Sequence, residues 1–221
     1  MLALPEIAAI CLSACMRIII RSLVLIVLGL LVGVGSALWM GGLLPGSPRV
    51  GNAIEVNGWV SDWSIGSENA SPYIRARVAR NGLMGLRKEE AVYFMKTTDD
   101  EGQRLREGCI YRVSGGEFPA EWWSVTLYDS DNRLPMNEDG KLSFDRTQAS
   151  NVFGGDVAWL FDVRTQAVGD GTLPWVSSRN AGQFDLTLRL YRPNAALLED
   201  PRGALIPPTV QRLSCDGEDA S

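Results

Sequence analysis

The pattern of hydrophobic and polar positions divides the chain into two unlike parts. Residues 22–40, 19 in all, contain no charged side chain and are mostly apolar. A helix of this length covers about 28 Å, close to the thickness of the hydrocarbon core of a bilayer. From about residue 90 onward, apolar residues instead recur at every second position, which is typical of half-buried strands. The pattern predicts one transmembrane helix followed by a mainly β domain.

Short strand candidates with turn signals between them fill the second part: AVYFMKTT, CIYRVSGG, WWSVTLYD and QFDLTLRLYRP. In the last of these, one face carries Phe184, Leu186, Leu188 and Leu190, and the opposite, wet face carries Asp185, Thr187, Arg189 and Tyr191. Several such strands indicate an antiparallel sandwich or barrel. An N-cap and proline pair, Ser71 and Pro72, predicts a helix over about 72–80. We therefore expect a mainly β fold, an antiparallel β-sandwich with one or two short helices.

Charges near the apolar segment predict its orientation. Arg17 and Arg21 precede it, and no Lys or Arg follows before Arg49. The positive-inside rule then places the N-terminus in the cytoplasm and the following domain in the periplasm of a bacterial inner membrane, as a single-pass protein. Two alternatives stay open: cleavage as a signal peptide near Gly35-Ser36-Ala37, and a true start at Met16.

These observations predict the domain bounds. We expect a cytoplasmic segment over residues 1–21, a transmembrane helix over 22–40, a tether rich in Gly and Pro over 41–54, a β-sandwich over 55–213 and a tail over 214–221. Within the helix, Gly29, Gly33 and Ala37 recur at every fourth residue on one face. Such a face allows close approach of another helix, from a membrane protein partner or a second copy, although small residues are also common in membrane spans for no such reason.

Charge and composition exclude several functions. Of the net charge of −5, residues 1–40 contribute +1 from Arg17 and Arg21 against Glu6, which leaves −6 for the rest. An acidic domain without a basic stripe argues against nucleic acid as a partner. The chain has no histidine, so His-dependent hydrolases and His-ligated metal sites are excluded. No phosphate-binding glycine loop is present, and we expect no cofactor and no metal.

Carboxylates after the strand WWSVTLYD raise two further questions. Asp129, Asp131 and Asn132 resemble the start of a calcium loop, but Arg133, Leu134 and Gly140 occupy positions where such a loop needs an oxygen ligand, a glycine and a glutamate. A turn in which these side chains bond the backbone is expected instead. A hydrolase built on a pair of carboxylates remains an alternative, with candidates Asp129, Asp131, Asp156, Asp162 and Asp185.

Cysteine and tryptophan supply the remaining candidates. Cys109 and Cys215 are the two cysteines that follow the apolar segment, and an oxidising periplasm favours a disulfide between them. Trp59, Trp63, Trp122 and Trp123 are candidates for a surface that binds a ligand or a partner. Trp122 and Trp123 are adjacent on one strand, so they point to opposite faces. Burial under loops or the tether is the alternative for these rings.

Several segments in the same order resemble a known family: SPYIRARVARNGLMGL, EAVYFMKTTDDEGQRLREGCIYRVSGG, WWSVTLYDSDNRL, FDLTLRLYRP and IPPTVQRL. They are similar to the family called domain of unknown function 1214, in its short bacterial form with an N-terminal membrane anchor. The resemblance covers most of residues 55–213 and implies a jelly-roll-like β-sandwich. It brings no established reaction, so no catalytic residue is carried over.

Three functions therefore stay open. The first is a membrane-anchored periplasmic accessory or structural domain that associates with a membrane protein assembly. The second is a module that binds an envelope sugar or lipid, and the third is a carboxylate-dependent hydrolase. The expected partners are the lipid bilayer and a membrane protein or a second copy, and the identity of any small-molecule ligand is not determined by the sequence.

Overall fold

The computed structural model describes residues 4–45, 51–80, 86–155, 157–167 and 173–216. The chain divides into two compact units, residues 1–50 and residues 51–221. The first unit contains one long helix, α1 (Leu4–Met40). Helix α1 ends where Gly42 adopts a left-handed φ of 77°, a conformation that glycine adopts at little cost.

Helix α1 is longer than the apolar segment that predicted it. Its stretch Met16–Met40, 25 residues, is long and apolar enough to cross a membrane. The large apolar side chains of this stretch are exposed within the unit, as lipid-facing side chains would be. An apolar helix near the N-terminus is thereby confirmed, and it can serve as a membrane anchor or as a signal sequence. Its orientation and the cytoplasmic position of residues 1–21 stay predictions.

The second unit is built mainly from strands. Its described residues form the strands β1 (Ala53–Val56), β2 (Trp59–Asp62), β3 (Ala91–Lys96), β4 (Cys109–Gly116), β5 (Ala120–Asp129), β6 (Ser143–Asp145), β7 (Ala158–Arg164), β8 (Trp175–Ser177), β9 (Phe184–Pro193) and β10 (Thr209–Cys215). They also form the short helices α2 (Pro72–Arg80), α3 (Arg146–Phe153), α4 (Ala195–Glu199) and α5 (Pro201–Ala204).

The strands form two sheets. One is six-stranded with the order β1-β2-β3-β9-β5-β6, and the other is four-stranded with the order β10-β4-β7-β8. All described pairs are antiparallel except β7 with β8, which is parallel. The second sheet is therefore mixed, where the sequence predicted antiparallel pairing throughout. The mainly β architecture is confirmed, whereas this strand order does not establish the jelly roll that the family resemblance implies.

One apolar core lies between the two sheets. Trp123 of β5 contacts Trp159 of β7 with ring centres 4.5 Å apart, and Phe144 of β6 contacts Phe161 of β7 at 4.8 Å. All four rings are at most 2% exposed. Aromatic rings at these distances add attraction beyond the burial of their area. The two sheets therefore pack face to face as a sandwich.

The described part of the second unit contains four short helices, where the sequence predicted one or two. Helix α2 follows its predicted cap, because Ser71 Oγ accepts the amide N–H of Ile74 at 3.3 Å. Helix α3 has a capping box in which Asp145 accepts the N–H of Gln148 at 3.0 Å. Asn194 caps α4 by accepting the N–H of Leu197, and Asp200 caps α5 by accepting the N–H of Gly203. Helices α3, α4 and α5 were not predicted individually, because they lack a long apolar period and their caps are their main sequence signal.

A disulfide joins the ends of β4 and β10. Cys109 and Cys215 are opposite each other in the register of these strands, and their sulfur atoms are 1.99 Å apart. Both residues belong to the core, with exposed fractions of 2% and 3%. The bridge encloses most of the second unit, since 106 positions separate the two cysteines.

The turn after β5 is confirmed. Asp129 Oδ1 accepts the amide N–H of Asp131 at 2.9 Å and that of Arg133 at 2.8 Å. Asn132 has a left-handed φ of 60°, which asparagine tolerates better than most residues. The acidic side chains of this turn therefore hold backbone amides, as expected of a turn rather than a calcium loop.

Candidate ligand-binding face

Strand β9 has two chemically opposite faces. Leu186, Leu188 and Leu190 point into the core and are 0% exposed. Because side chains alternate along a strand, the residues between them point away from the core. The outward residues are Asp185, Thr187, Arg189 and Tyr191, as the alternation predicted, but Asp185 and Thr187 are buried rather than wet.

The neighbours of β9 continue this polar surface. On one side, Tyr93 of β3 is paired with Arg189. On the other side, residues of β5 are paired with the outward residues of β9: Trp122 with Tyr191, Thr126 with Thr187 and Tyr128 with Asp185. Directly paired residues share a face of the sheet. We call the resulting surface the outer face, defined by Tyr93, Trp122, Thr126, Tyr128, Asp185, Thr187, Arg189 and Tyr191.

A cation lies at the centre of the outer face. Arg189 donates from Nη1 to Thr126 Oγ1 at 3.0 Å and from Nη2 to the Tyr128 hydroxyl. Its guanidinium carbon is 5.2 Å from the centre of the Tyr128 ring, within the range of a cation–π contact. Among the residues that the structure describes, no carboxylate forms an ion pair with Arg189. Neutral groups therefore position this positive charge.

Aromatic side chains surround the cation. The rings of Trp122 and Tyr191 meet with centres 5.3 Å apart and planes inclined by 61°. Trp122 Nε1 donates to Thr147 Oγ1 of α3 at 3.3 Å, so the indole is held at both its ring and its nitrogen. Burial, together with the neighbouring Tyr191, raises the pKa of Tyr93 above its ordinary value. The Tyr93 phenol is therefore neutral at physiological pH.

Asp185 is the carboxylate of the outer face. It is only 5% exposed, and burial raises its pKa to about 6. A hydrogen bond from Thr187 at 3.1 Å and the charges of Arg104 and Arg189 act in the opposite direction, but they do not offset the burial. Asp185 therefore carries a full negative charge only above about neutral pH.

An open groove lies at one end of the outer face. It has a volume of about 450 Å³ and is lined by Glu89, Phe118, Pro119, Ala120, Glu121, Arg192, Pro193 and Asn194. Ala120 and Pro193 are paired across β5 and β9, and each lies two residues from an aromatic member of the outer face, Trp122 or Tyr191. The aromatic surface is therefore next to space for a larger molecule.

The predicted tryptophan surface is wrong for two of its four residues. Trp59 is 0% exposed and its Nε1 donates to the carbonyl of Pro208 at 2.9 Å. Trp123 is 1% exposed and packs on Trp159. Both occupy inward positions of the six-stranded sheet, where large apolar rings fill the space between the layers. Neither can contact a ligand.

The other two tryptophans are half-buried in different surroundings. Trp122 lies on the outer face, on the opposite side of β5 from Trp123. Trp63 packs against the core near Phe94, with ring centres 6.2 Å apart, and the Lys88 ammonium lies 4.8 Å from its ring centre. The small residues Gly29, Gly33 and Ala37 belong to the other unit and are exposed along α1.

The candidate carboxylates of a hydrolase have separate structural roles. Asp129 holds the turn after β5, and Asp131 forms an ion pair with Arg133 on the surface. Asp162 is bonded to Arg112 at 3.0 Å, and Asp156 lies outside the described residues. The charge of Asp129 contributes to the raised pKa of Asp185, but Asp129 is committed to backbone amides. In the described ranges, no group of three or more His, Cys, Asp or Glu residues could hold a metal ion.

Seven of the eight members of the outer face were missing from the predicted surface: Tyr93, Thr126, Tyr128, Asp185, Thr187, Arg189 and Tyr191. The alternation of β9 marked Arg189 as outward, but it does not identify the strands beside β9. A signal was available in AVYFMK and WWSVTLYD, where Tyr93, Trp122 and Tyr128 alternate with apolar residues. The pairing of β3 and β5 with β9 brings these positions together.

A family model matches part of the chain. Residues 90–195 match the model of the family described as "Protein of unknown function (DUF1214)". The predicted resemblance to this family is therefore confirmed over that range, which is just under half of the chain and contains the whole outer face. No curated protein matches the sequence.

Comparison with solved structures gives a fold likeness to one protein and a weaker match to a second. The VPA0106 protein from Vibrio parahaemolyticus is 23% identical with a TM-score of 0.50, and the match covers 66% of this chain and 36% of that one. A putative uncharacterized protein from Burkholderia cenocepacia is 10% identical with a TM-score of 0.40, covering 56% of this chain and 30% of that one. The protein thus corresponds to about a third of the length of each.

Proposed function

We propose that this protein is a membrane-anchored accessory protein of the bacterial envelope whose outer face binds a saccharide. The observation that carries the proposal is the arrangement of Tyr93, Trp122, Tyr128 and Tyr191 around Arg189 on one face of a sheet. Sugar rings have apolar faces that stack on aromatic rings and hydroxyl groups that form hydrogen bonds with polar side chains. The outer face offers both kinds of group at once.

The rigidity of the outer face supports a binding role. Its residues are on paired central strands, β5 and β9, and side-chain hydrogen bonds hold Arg189 and Trp122 in place. A surface already ordered before binding loses less conformational entropy when the ligand arrives. The adjacent groove of about 450 Å³ has room for further sugar units.

The helix α1 supports the anchoring part of the proposal. We place residues 1–21 in the cytoplasm, the helix in the inner membrane and the sandwich in the periplasm, on the basis of Arg17 and Arg21 before the apolar stretch. Alkaline phosphatase fused after Ser221 should then be active in intact bacterial cells. Activity of a cytoplasmic reporter at the same position, with an inactive phosphatase, would contradict this orientation.

The saccharide proposal is tested with the full chain purified in a zwitterionic detergent, since sugar-headed detergents would compete for the site. We expect binding to a subset of saccharides on a glycan array, and loss of most of that binding in Trp122→Ala. Trp63→Ala is the matched control, because Trp63 is also half-buried but packs beside Phe94 and Lys88. An array without binding, or equal binding by wild type and Trp122→Ala, would contradict the proposal.

Association through α1 is a second candidate for how the protein acts. Gly29 and Gly33 are open positions, since a Cβ built at either would meet no atom within 4 Å. Together with Ala37 they leave a face on which a membrane protein or a second copy can pack closely. This association requires no contact with the outer face, so the two proposals can hold together or fail separately.

A further inference from the structure

Arg189 places a positive charge at the centre of the outer face. Arg189 has five N–H donors in a planar fork, and the described structure shows two hydrogen bonds from it, both to neutral hydroxyl groups. Other arginines on the sandwich are paired with carboxylates, such as Arg112 with Asp162 at 3.0 Å and Arg192 with Glu121 at 3.1 Å. Arg189 thus differs from them in presenting a positive charge that no described carboxylate neutralises by direct contact.

The nearby acidic groups do not remove this charge. Asp145 is in the same row of the sheet, beyond Ser124, but its Oδ1 accepts the N–H of Gln148 at the start of α3. Asp185 is two positions from Arg189 along β9, and Thr187 donates to it. With a pKa of about 6, Asp185 is mainly ionised at neutral pH, but none of the described hydrogen bonds or ion pairs joins it to Arg189.

We propose that the ligand is an acidic saccharide, and that its carboxylate binds the guanidinium of Arg189 while its sugar rings stack on the aromatic side chains of the outer face. This inference rests on the proposed function and narrows its ligand class. The remaining N–H groups of Arg189 can bond both oxygens of a carboxylate. Tyr93 is paired with Arg189 across β3 and β9, and Tyr191 lies two positions further along β9.

A carboxylate fits this position better than a phosphate does. A phosphate monoester carries about −1.5 to −2 charges at neutral pH and is usually held by several cations or backbone amides. Of the residues that define the outer face, Arg189 supplies the one guanidinium. One guanidinium matches the single charge of a sugar acid such as a uronic acid.

The first experiment measures the preference for charge in the wild-type protein. The full chain, in zwitterionic detergent, is applied to an array of carboxylated, phosphorylated, sulfated and neutral saccharides. The best carboxylated oligosaccharide is then titrated beside its own methyl ester, which keeps the rings and removes the charge. We expect the ester to bind at least about ten-fold more weakly, as loss of a hydrogen bond to a charged group implies.

The second experiment assigns that preference to one residue. In Arg189→Gln, the acid and its ester should bind equally, both at the affinity that wild type has for the ester. Arg202→Gln is the matched control, because Arg202 is on α5 and its replacement changes the net charge by the same amount. The control should keep the wild-type preference for the acid over the ester. Trp122→Ala should instead weaken binding of the acid and of the ester by the same factor.

The outcomes separate this inference from the proposed function. Equal binding of acid and ester by wild type, or a preference for phosphorylated or sulfated saccharides, overturns the carboxylate inference and leaves saccharide binding intact. An array with no bound saccharide overturns both. If Arg189→Gln does not fold, the comparison of acid and ester on wild type still decides the question.

Discussion

The two faces of the six-stranded sheet are built from the same strands and differ in what covers them. On β9, Leu186 and Leu188 are 0% exposed because the opposite sheet packs on them. Asp185 and Thr187, on the other face, are only 5% and 4% exposed, but they lie among polar and aromatic side chains such as Arg189. Burial on the inner face therefore stabilises the fold, whereas burial on the outer face reflects an ordered polar surface. Changes to the two faces should have different consequences.

The largest effect is expected from the disulfide, which belongs to the interior. Replacing Cys109 and Cys215 together by Ala removes a bridge across 106 positions. In the chain-entropy model this costs about 4 to 5 kcal/mol of the free energy of unfolding. Urea unfolding of the double variant, compared with oxidised and reduced wild type, measures this loss in the free energy of unfolding. The variant should resemble reduced wild type, and saccharide binding under native conditions should be unchanged. A loss of binding in the folded variant would contradict the separation of the two faces.

The adjacent tryptophans of β5 give a direct comparison of the two faces. Trp123→Ala creates a cavity in the core, and such changes cost about 3 to 5 kcal/mol. Trp122→Ala removes a half-buried ring from the outer face, and we expect a smaller loss, about 1 kcal/mol, with most of the saccharide binding lost. Urea unfolding and ligand titration of both variants test this. Equal destabilisation by the two changes would show that the outer face is structural.

The buried carboxylate of the outer face should make stability depend on pH. The pKa of Asp185 is about 6 in the folded protein against an ordinary value of 3.8. The folded state therefore binds this proton more tightly than the unfolded state does. The contribution of Asp185 is most favourable at low pH and is lost as pH rises from about 4 to about 6, by up to about 3 kcal/mol.

Asp185→Asn isolates this contribution, since the amide oxygen can still accept the hydrogen bond from Thr187. The variant should be more stable than wild type at pH 7, with a difference that shrinks as pH falls to about 4. Urea unfolding of both proteins at several pH values measures the difference in their free energies of unfolding. Because the two proteins share every other titrating group, the contributions of those groups cancel in this difference. A difference that is constant with pH would rule out titration of Asp185 in this range.

The smallest effect on the sandwich is expected from the helix. Gly29→Leu/Gly33→Leu should leave unfolding of the sandwich and saccharide binding unchanged, because both glycines belong to the first unit and the sandwich to the second. It should block close packing of α1 with another helix while the span stays apolar. Blue-native electrophoresis of native membranes, with Val32→Leu as control, detects the change. Identical species for wild type and variant would mean that the helix serves only as an anchor.

The family resemblance and the local elements could be predicted because their signals lie within a few residues. The cap at Ser71 predicted α2, the alternation in FDLTLRLYRP predicted β9, and the acidic turn after β5 followed from its composition. The burial of Trp59 could not be predicted in this way. Its position depends on which side of a short four-residue strand meets the opposite sheet, and four residues carry too little periodicity to show that.

The sequence by itself determined the apolar N-terminal helix, the outward position of Arg189 on its strand, and the absence of histidine chemistry. Each follows from composition or from the geometry of one segment. Only the tertiary structure decided which side chains surround Arg189. Strand β9 is inserted between β3 and β5, which are far from it in sequence, so Tyr93, Trp122 and Tyr128 meet Arg189 through long-range pairing. That pairing is selected by how the apolar faces of all the strands pack into one core, which no single segment encodes.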